Sequence, residues 1–431
     1  MSQSAAVSPA TGAPTEREEW RRGGRTALFA ALGYGTGPVL FLTTASVFVK
    51  PAMEATGWST TQVLISPMLS VLFQLFGPLV GRLADRRGVK LTLTLGLIPY
   101  VVLLVLFATM PLNLVVYWGL GILMGFFGAY GFAIAWNRAV AVWFDKGAGK
   151  AFGVVGAGGA AAPILVIPLV TYVIYNAGWR TGYFVLAALT LLISLPAALF
   201  GLRTPPSETA QSTAKAQSGR KGKNATVARA LKSARFWMLG LSMMVVTGAA
   251  NAFLANMQPI LLDGGLEVAV ATSITTLFTA GVIVGRLGAG ALLDLISRYW
   301  VAIGVFVLSG LGALTLVNVS LFPVAVVGAA ALLVAFSQGA EADIVAYFML
   351  KEYGKENFGT LYAWCFLLAG VGSLIMPYLF GGVRDLTGSY AGAVVVGCGC
   401  YLLGAVFIVA NWVLARREQA RAAAVEVAAT A

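Results

Sequence analysis

The chain has 431 residues, 59% hydrophobic and only 11% charged, with no histidine and a formal charge of +12. Long apolar runs at this length exclude a soluble domain and place the chain among polytopic membrane proteins. Without histidine the usual zinc sites, Ser-His-Asp triads and histidine proton relays are unavailable, so neither an enzyme nor a metal or other cofactor is expected.

Residues 1–26 read as a solvated tail, with late charge in EREEWRRGGR and no signal-peptide pattern. Twelve apolar runs follow, at 27–49, 62–81, 91–110, 112–142, 151–175, 181–201, 236–262, 270–293, 300–319, 322–350, 358–381 and 391–414. Each is long enough to cross a hydrocarbon core of roughly 30 Å as a helix. The expected fold is therefore an all-α membrane protein of twelve transmembrane helices. Short links carry turn signals such as Met110-Pro111-Leu112-Asn113 and Asp263-Gly264-Gly265. The Ser-, Ala- and Lys-rich stretch 203–235 reads as a disordered central loop ending in a short basic helix over Ala225–Ser233. Trimming Gln211 to Gly222 within it is expected to leave activity intact. The loop divides the chain into six-helix halves, 27–202 and 236–415, before a C-terminal tail, 416–431.

The halves repeat. Lys50-Pro51 in span one matches Gln258-Pro259 in span seven, and Gly81-x-x-x-Asp85 after span two matches Gly290-x-x-x-Asp294 after span eight. Lys150-Ala151-Phe152-Gly153 matches Glu356-Asn357-Phe358-Gly359. Repeated halves with a substrate site between them are a transporter design. Of the 29 Lys and Arg, Lys50, Arg180 and Arg384 are the three expected outside, and Arg138 is internal. By the positive-inside rule both termini are expected in the cytoplasm. The basic charge thus marks topology and the lipid bilayer as partner, and nucleic acid is not expected.

Span ten carries two acids, Glu341 and Asp343. If Lys351 marks its water-facing end, they lie roughly 15 and 12 Å inside it, near the bilayer midplane. Ionisable groups at that depth are costly and mark a pathway or a partner. Being two residues apart, they are expected on different faces, one lining the path and one pairing within the bundle. They are the candidate proton-coupling groups. Arg138 sits roughly 10 Å inside span four, either as an anion-binding guanidinium or as a snorkelling side chain. Asn137, Asn251, Asn256 and Gln258, with Thr43, Thr44 and Ser46, offer neutral polar contacts. Tyr34, Tyr130, Trp136, Tyr347, Tyr362 and Trp364 offer an aromatic wall, although packing accounts for such residues equally well. The repeat puts Arg138 and Asp343 at one depth. They are expected to face each other, with Glu341 as the rival partner.

The segment Gly81-Arg82-Leu83-Ala84-Asp85-Arg86-Arg87-Gly88-Val89-Lys90 resembles the loop motif of the major facilitator superfamily, between spans two and three as in that family. The resemblance spans about 390 residues and implies alternating access, with Gly81, Asp85, Arg86, Gly88 and Lys90 as a gating motif. Trp143-Phe144-Asp145-Lys146, Gly178-Trp179-Arg180 and the Arg286 segment of span eight are similar to monocarboxylate porters and oxalate–formate-type antiporters. That resemblance makes Arg286 a candidate carboxylate ligand, with a helix-end anchor as its other reading. The chain departs from those groups where they carry charge: the corresponding places hold Thr43, Val282 and Cys365. The resemblance implies a monomeric carrier of the bacterial inner membrane. It would move a small organic anion, a monocarboxylate above all, with a proton or an exchanged anion; the alternative is an efflux antiporter for amphipathic compounds. Arg138, Arg286, Asn137, Asn251, Asn256 and Tyr347 are the candidate substrate ligands.

Overall fold

The structure is a computed structural model and describes residues 14–70, 75–203 and 221–430. Among these, eleven helical segments are long and apolar enough to cross a membrane. They are span one (Glu16–Thr56), three (Val89–Thr109), four (Leu114–Ala141), five (Ala148–Ala177) and six (Trp179–Gly201). In the second half they are span seven (Ala234–Asp263), eight (Val268–Leu295), nine (Arg298–Leu321), ten (Val324–Tyr353), eleven (Phe358–Thr387) and twelve (Ala391–Arg421). Span two is the helix pair Thr60–Ser70 and Gly77–Arg87, which flanks residues outside the description. The chain is thus a multi-pass all-α membrane protein of the expected twelve-span type. Apolar runs of this length leave the backbone no other way to satisfy its hydrogen bonds in lipid.

Span one starts at Glu16, inside the segment expected as a tail, because Thr15 and Glu18 form a reciprocal capping box. It breaks at Thr36–Pro38 before resuming at Val39. Its first turns are anchored by Glu19. This buried carboxylate accepts the amides of Asp145, Lys146 and Gly147 in the link between spans four and five. The basic helix before span seven runs Lys221–Lys232, longer at its start than expected. Most of the expected loop, residues 204–220, lies outside the described residues.

The turn Gly178-Trp179-Arg180 has a local explanation. Gly178 starts span six at φ +87°, a conformation costly for other residues. The Arg180 guanidinium donates to the carbonyls of Ala108 and Met110 at the end of span three, at 3.2 and 2.8 Å. It therefore satisfies a helix C-terminus, which needs outside donors.

The halves meet at the end holding both described chain ends and most of the basic links, called here the basic end. One apolar core there joins residues of both halves, whereas the far part of the first half has its own core around Phe41, Phe107, Tyr117 and Tyr183. Two close crossings define the seam. Gly81 of span two lies against Gly359 of span eleven, and Gly290 of span eight against Gly149 of span five. Any side chain at Gly81 would collide with the Gly359 carbonyl oxygen. The hydrogen bonds that Asn137, Asp85, Asp294, Lys351 and Lys355 make to the opposite half lie at the basic end or just above it.

Candidate functional site

Each crossing is fastened by an acid one turn beyond its glycine. Asp85 accepts from the amides of Gly359 and Thr360 at 3.1 and 2.7 Å and from the Thr360 hydroxyl at 2.8 Å. Asp294 accepts from the amides of Gly149 and Lys150 at 2.8 and 2.9 Å. In both cases the acid supplies, from the other half, the cap that the first turn of a helix needs. The repeated Gly-x-x-x-Asp and Phe-Gly segments are therefore opposite sides of one contact made twice. Lys351 adds an outer tie to Asp145 at 2.7 Å.

Arg138 belongs to this fastening. Its Nε donates to Asp85 Oδ1 at 2.7 Å, and both side chains are buried. The expected pairing of Arg138 with Asp343 is thus corrected, and so is its placement as a substrate ligand. Equal depth in the repeat fixes neither the rotation of span four nor the side chain's direction. Arg138 runs toward the basic end, where the Asp85 carboxylate lies. In the rest of the motif, Gly88 adopts φ +89° and starts span three, and the Lys90 ammonium donates to the Leu199 carbonyl at 3.1 Å. Arg86 is exposed.

Above the seam lies a cavity of about 320 Å³ between the halves. Its polar lining is Tyr34, Asn137, Asn251, Arg286, Glu341, Asp343, Thr247, Tyr362 and Ser373. Leu42, Met243 and Phe366 supply apolar surface. Of the candidate substrate ligands, Asn137, Asn251 and Arg286 reach it. Asn256 and Tyr347 do not: Asn256 Nδ2 donates to the Ala252 carbonyl at 2.9 Å, and the Tyr347 ring lies 5.5 Å from the Lys351 ammonium. Trp136 is wholly buried, donating to the Gly131 carbonyl.

Both acids of span ten line the cavity, correcting the expectation that only one could. Residues of spans one, four, five, seven, eight and eleven complete the wall around Glu341, Ala342 and Asp343, so positions about 200° apart on span ten both contribute. The two acids nevertheless have different surroundings. Asp343 Oδ1 lies 3.8 Å from Arg286 Nη1, a charge contact longer than a hydrogen bond, and its Oδ2 has no hydrogen-bond partner among the described residues. Glu341 is 5% exposed, and its Oε2 is likewise unpartnered.

Asn137 Nδ2 donates to Tyr362 Oη at 3.5 Å across the interface, and its Oδ1 has no hydrogen-bond partner among the described residues. Asn251 Nδ2 donates to Ser373 Oγ at 3.1 Å. Sequence reasoning passed over Thr247, Ser373, Met243 and Phe366. The signal existed as helical stripes: Met243, Thr247 and Asn251, and Tyr362, Phe366, Ala369 and Ser373, recur at intervals of three or four.

A two-half bundle of twelve spans, fastened at one end and enclosing a charged central cavity, has the architecture of a membrane transporter. The family model of the Major Facilitator Superfamily matches residues 26–377, and the chain belongs to that superfamily. It is 25% identical over 268 residues to the "Uncharacterized MFS-type transporter YcxA" of Bacillus subtilis (strain 168), a match covering 61% of this chain and 63% of that protein. The chain thus spans less than two thirds of that relative's length. Among solved structures it is similar to the E. coli fucose:proton symporter FucP (N162A), with TM-score 0.69 and 15% identity over 90% of this chain and 98% of that one. It is also similar to the proton:xylose symporter XylE, with TM-score 0.68 and 13% identity over 92% and 96%. These likenesses concern the fold.

Proposed function

We propose that the chain is a secondary active transporter that carries a small organic anion together with a proton, with monocarboxylates the first class to test. The observation that carries this reading is the loose contact of Arg286 with Asp343 inside the cavity. A guanidinium held 3.8 Å from its carboxylate keeps donors for a second one, and a planar carboxylate suits its fork. Protonation of Asp343 removes the competing charge, so substrate binding and proton uptake favour each other. Asn137, Asn251, Tyr34 and Tyr362 provide neutral contacts, and the cavity volume limits the cargo to small molecules.

Proton coupling is consistent with the likeness to FucP and XylE, both proton symporters. The segments resembling monocarboxylate porters favour an anion. With both termini cytoplasmic, as the basic links imply, the closed end faces the cytoplasm and the cavity serves the outer face of a bacterial inner membrane. One chain contains the whole cavity, so the unit of transport is a monomer.

The test is uptake of labelled monocarboxylates, with neutral sugars as comparators, into proteoliposomes under an inward proton gradient. Arg286→Gln is expected to raise KM for the anion roughly 10- to 100-fold, the value of a charged hydrogen bond. An unchanged KM in that variant, or accumulation of sugars and no anion, would overturn the reading.

A further inference from the structure

Glu341 lies on a different face of span ten from Asp343, which holds the close contact with Arg286. Ser337, one turn earlier on the same face of span ten, is fully buried, and its Oγ has no hydrogen-bond partner among the described residues. Gln338 lies three residues before Glu341, and its Oε1 is also buried and unpartnered. Thr247 of span seven shares the cavity wall with Glu341, and its Oγ1 is likewise unpartnered. Tyr401 of span twelve, fully buried and within electrostatic reach of Glu341, has a hydroxyl in the same condition. Spans ten, seven and twelve thus each carry desolvated oxygen atoms that lack a partner among the described residues, a costly arrangement when left so.

The charge count points the same way. Arg286, Asp343 and Glu341 are the charged residues of the cavity wall, and together they carry one net negative charge when ionised. At mid-membrane that charge is costly until a proton or a counter-ion neutralises it. A divalent ion would leave an excess positive charge, whereas one monovalent cation balances it. An oxygen-only donor set of carboxylate, amide and hydroxyl groups selects a hard cation. We infer that Glu341, with Ser337, Gln338 and Thr247, forms a seat for a hard monovalent alkali cation of sodium type, distinct from the Arg286–Asp343 site. The inference rests on the transporter reading only for its use as a coupling ion; binding itself is independent of it. The ionisable groups facing Glu341 are Arg286, Asp343, Tyr34 and Tyr401.

The experiment is thermal unfolding of the full chain in lipid nanodiscs, titrating NaCl against choline chloride at fixed ionic strength, with KCl and LiCl as further arms. Sodium at about 100-fold above its Kd should raise Tm by roughly 3 °C, as for any ligand bound only by the folded state. Glu341→Gln should abolish the rise, Ser337→Ala and Thr247→Ala should shift its midpoint to higher sodium, and Arg286→Gln should preserve it. Lower pH should shift the midpoint upward, because a proton competes for the same oxygen. An equal response to choline, or a full sodium response in folded Glu341→Gln protein, overturns the inference; in that case a proton alone occupies Glu341. Anion uptake that persists without any sodium response would sink the cation seat and leave the carrier reading standing. A sodium response with no anion uptake would do the reverse.

Discussion

Phe152 and Phe358 occupy equivalent positions in the two halves and stack on each other, with ring centroids 5.7 Å apart and planes 8° from parallel. Residues related by an internal repeat can touch only on the axis that relates them. The pair therefore marks the pseudo-twofold axis at the basic end, flanked by the Asp85 and Asp294 caps. Opening this end must separate the rings.

Phe152→Ala and Phe358→Ala should each shift the protein toward the state open at the basic end. A double-mutant cycle should return a coupling of about 0.5–1.5 kcal/mol, the range for aromatic pairs. Spin-label distances across the basic end report the populations. Strictly additive effects would show that the stack does not hold the seam.

Arg138 and Asp85 form a buried pair whose members should not be removed singly. Arg138→Gln leaves Asp85 with its amide donors but without its counter-charge, and should lower folded protein by the equivalent of about 3 kcal/mol. Adding Asp85→Asn should recover protein level while lowering transport, because the cap on span eleven is weakened. Recovery by Asp343→Asn in place of Asp85→Asn would restore the pairing that the geometry rejects.

Gly81→Ala tests the close crossing by sterics alone. The new methyl meets the Gly359 backbone, which cannot move aside as a flexible side chain could. The variant should fold, populate the basic-end-open form, and turn over at least about tenfold more slowly, since a penalty of about 1.4 kcal/mol already corresponds to that factor. Wild-type turnover would mean that the halves do not close this tightly in the working cycle.

Asp343→Asn should abolish accumulation driven by a proton gradient while leaving substrate counterflow measurable. Exchange needs binding and reorientation but no net proton movement. Pure gradient-driven uptake in this variant would move the coupling role to Glu341 or elsewhere.

The Asp145–Lys351 tie joins the link between spans four and five to the basic end of span ten and should contribute nothing to pH dependence near neutrality. The hydrogen bond from Lys351 holds the Asp145 carboxyl below the usual carboxylate range. A depressed folded value means that its contribution is present above the ordinary carboxylate range and is lost only as pH falls through the lower folded value. Asp145→Asn should therefore shift the state balance by about two- to fivefold, as for a partly exposed pair, without altering the transport profile between about pH 5 and 8. A changed profile would reveal a wider role.

The fold was legible because a span of some twenty apolar residues is a one-dimensional signal. Glu341 and Asp343 stood out for the same reason: a charge inside such a run is conspicuous. The repeat revealed the Gly-x-x-x-Asp and Phe-Gly segments but not that each grips the other, since homology of position says nothing about contact. Arg138 was misassigned because depth along a helix is readable while the heading of a long side chain is not. Thr247 and Ser373 were passed over because one hydroxyl among apolar neighbours looks like packing until its helical stripe is followed.

Glu19 carries a mechanical consequence. Its carboxylate grips three successive amides at the link of spans four and five, and that link bears Asp145 of the outer tie and leads into Gly149 of the inner crossing. The start of span one and this link therefore form a joint without play. When the first half tilts, both attachments of its span-five side must let go together, so the closed end should release as a latch does, in one event, rather than peel apart contact by contact.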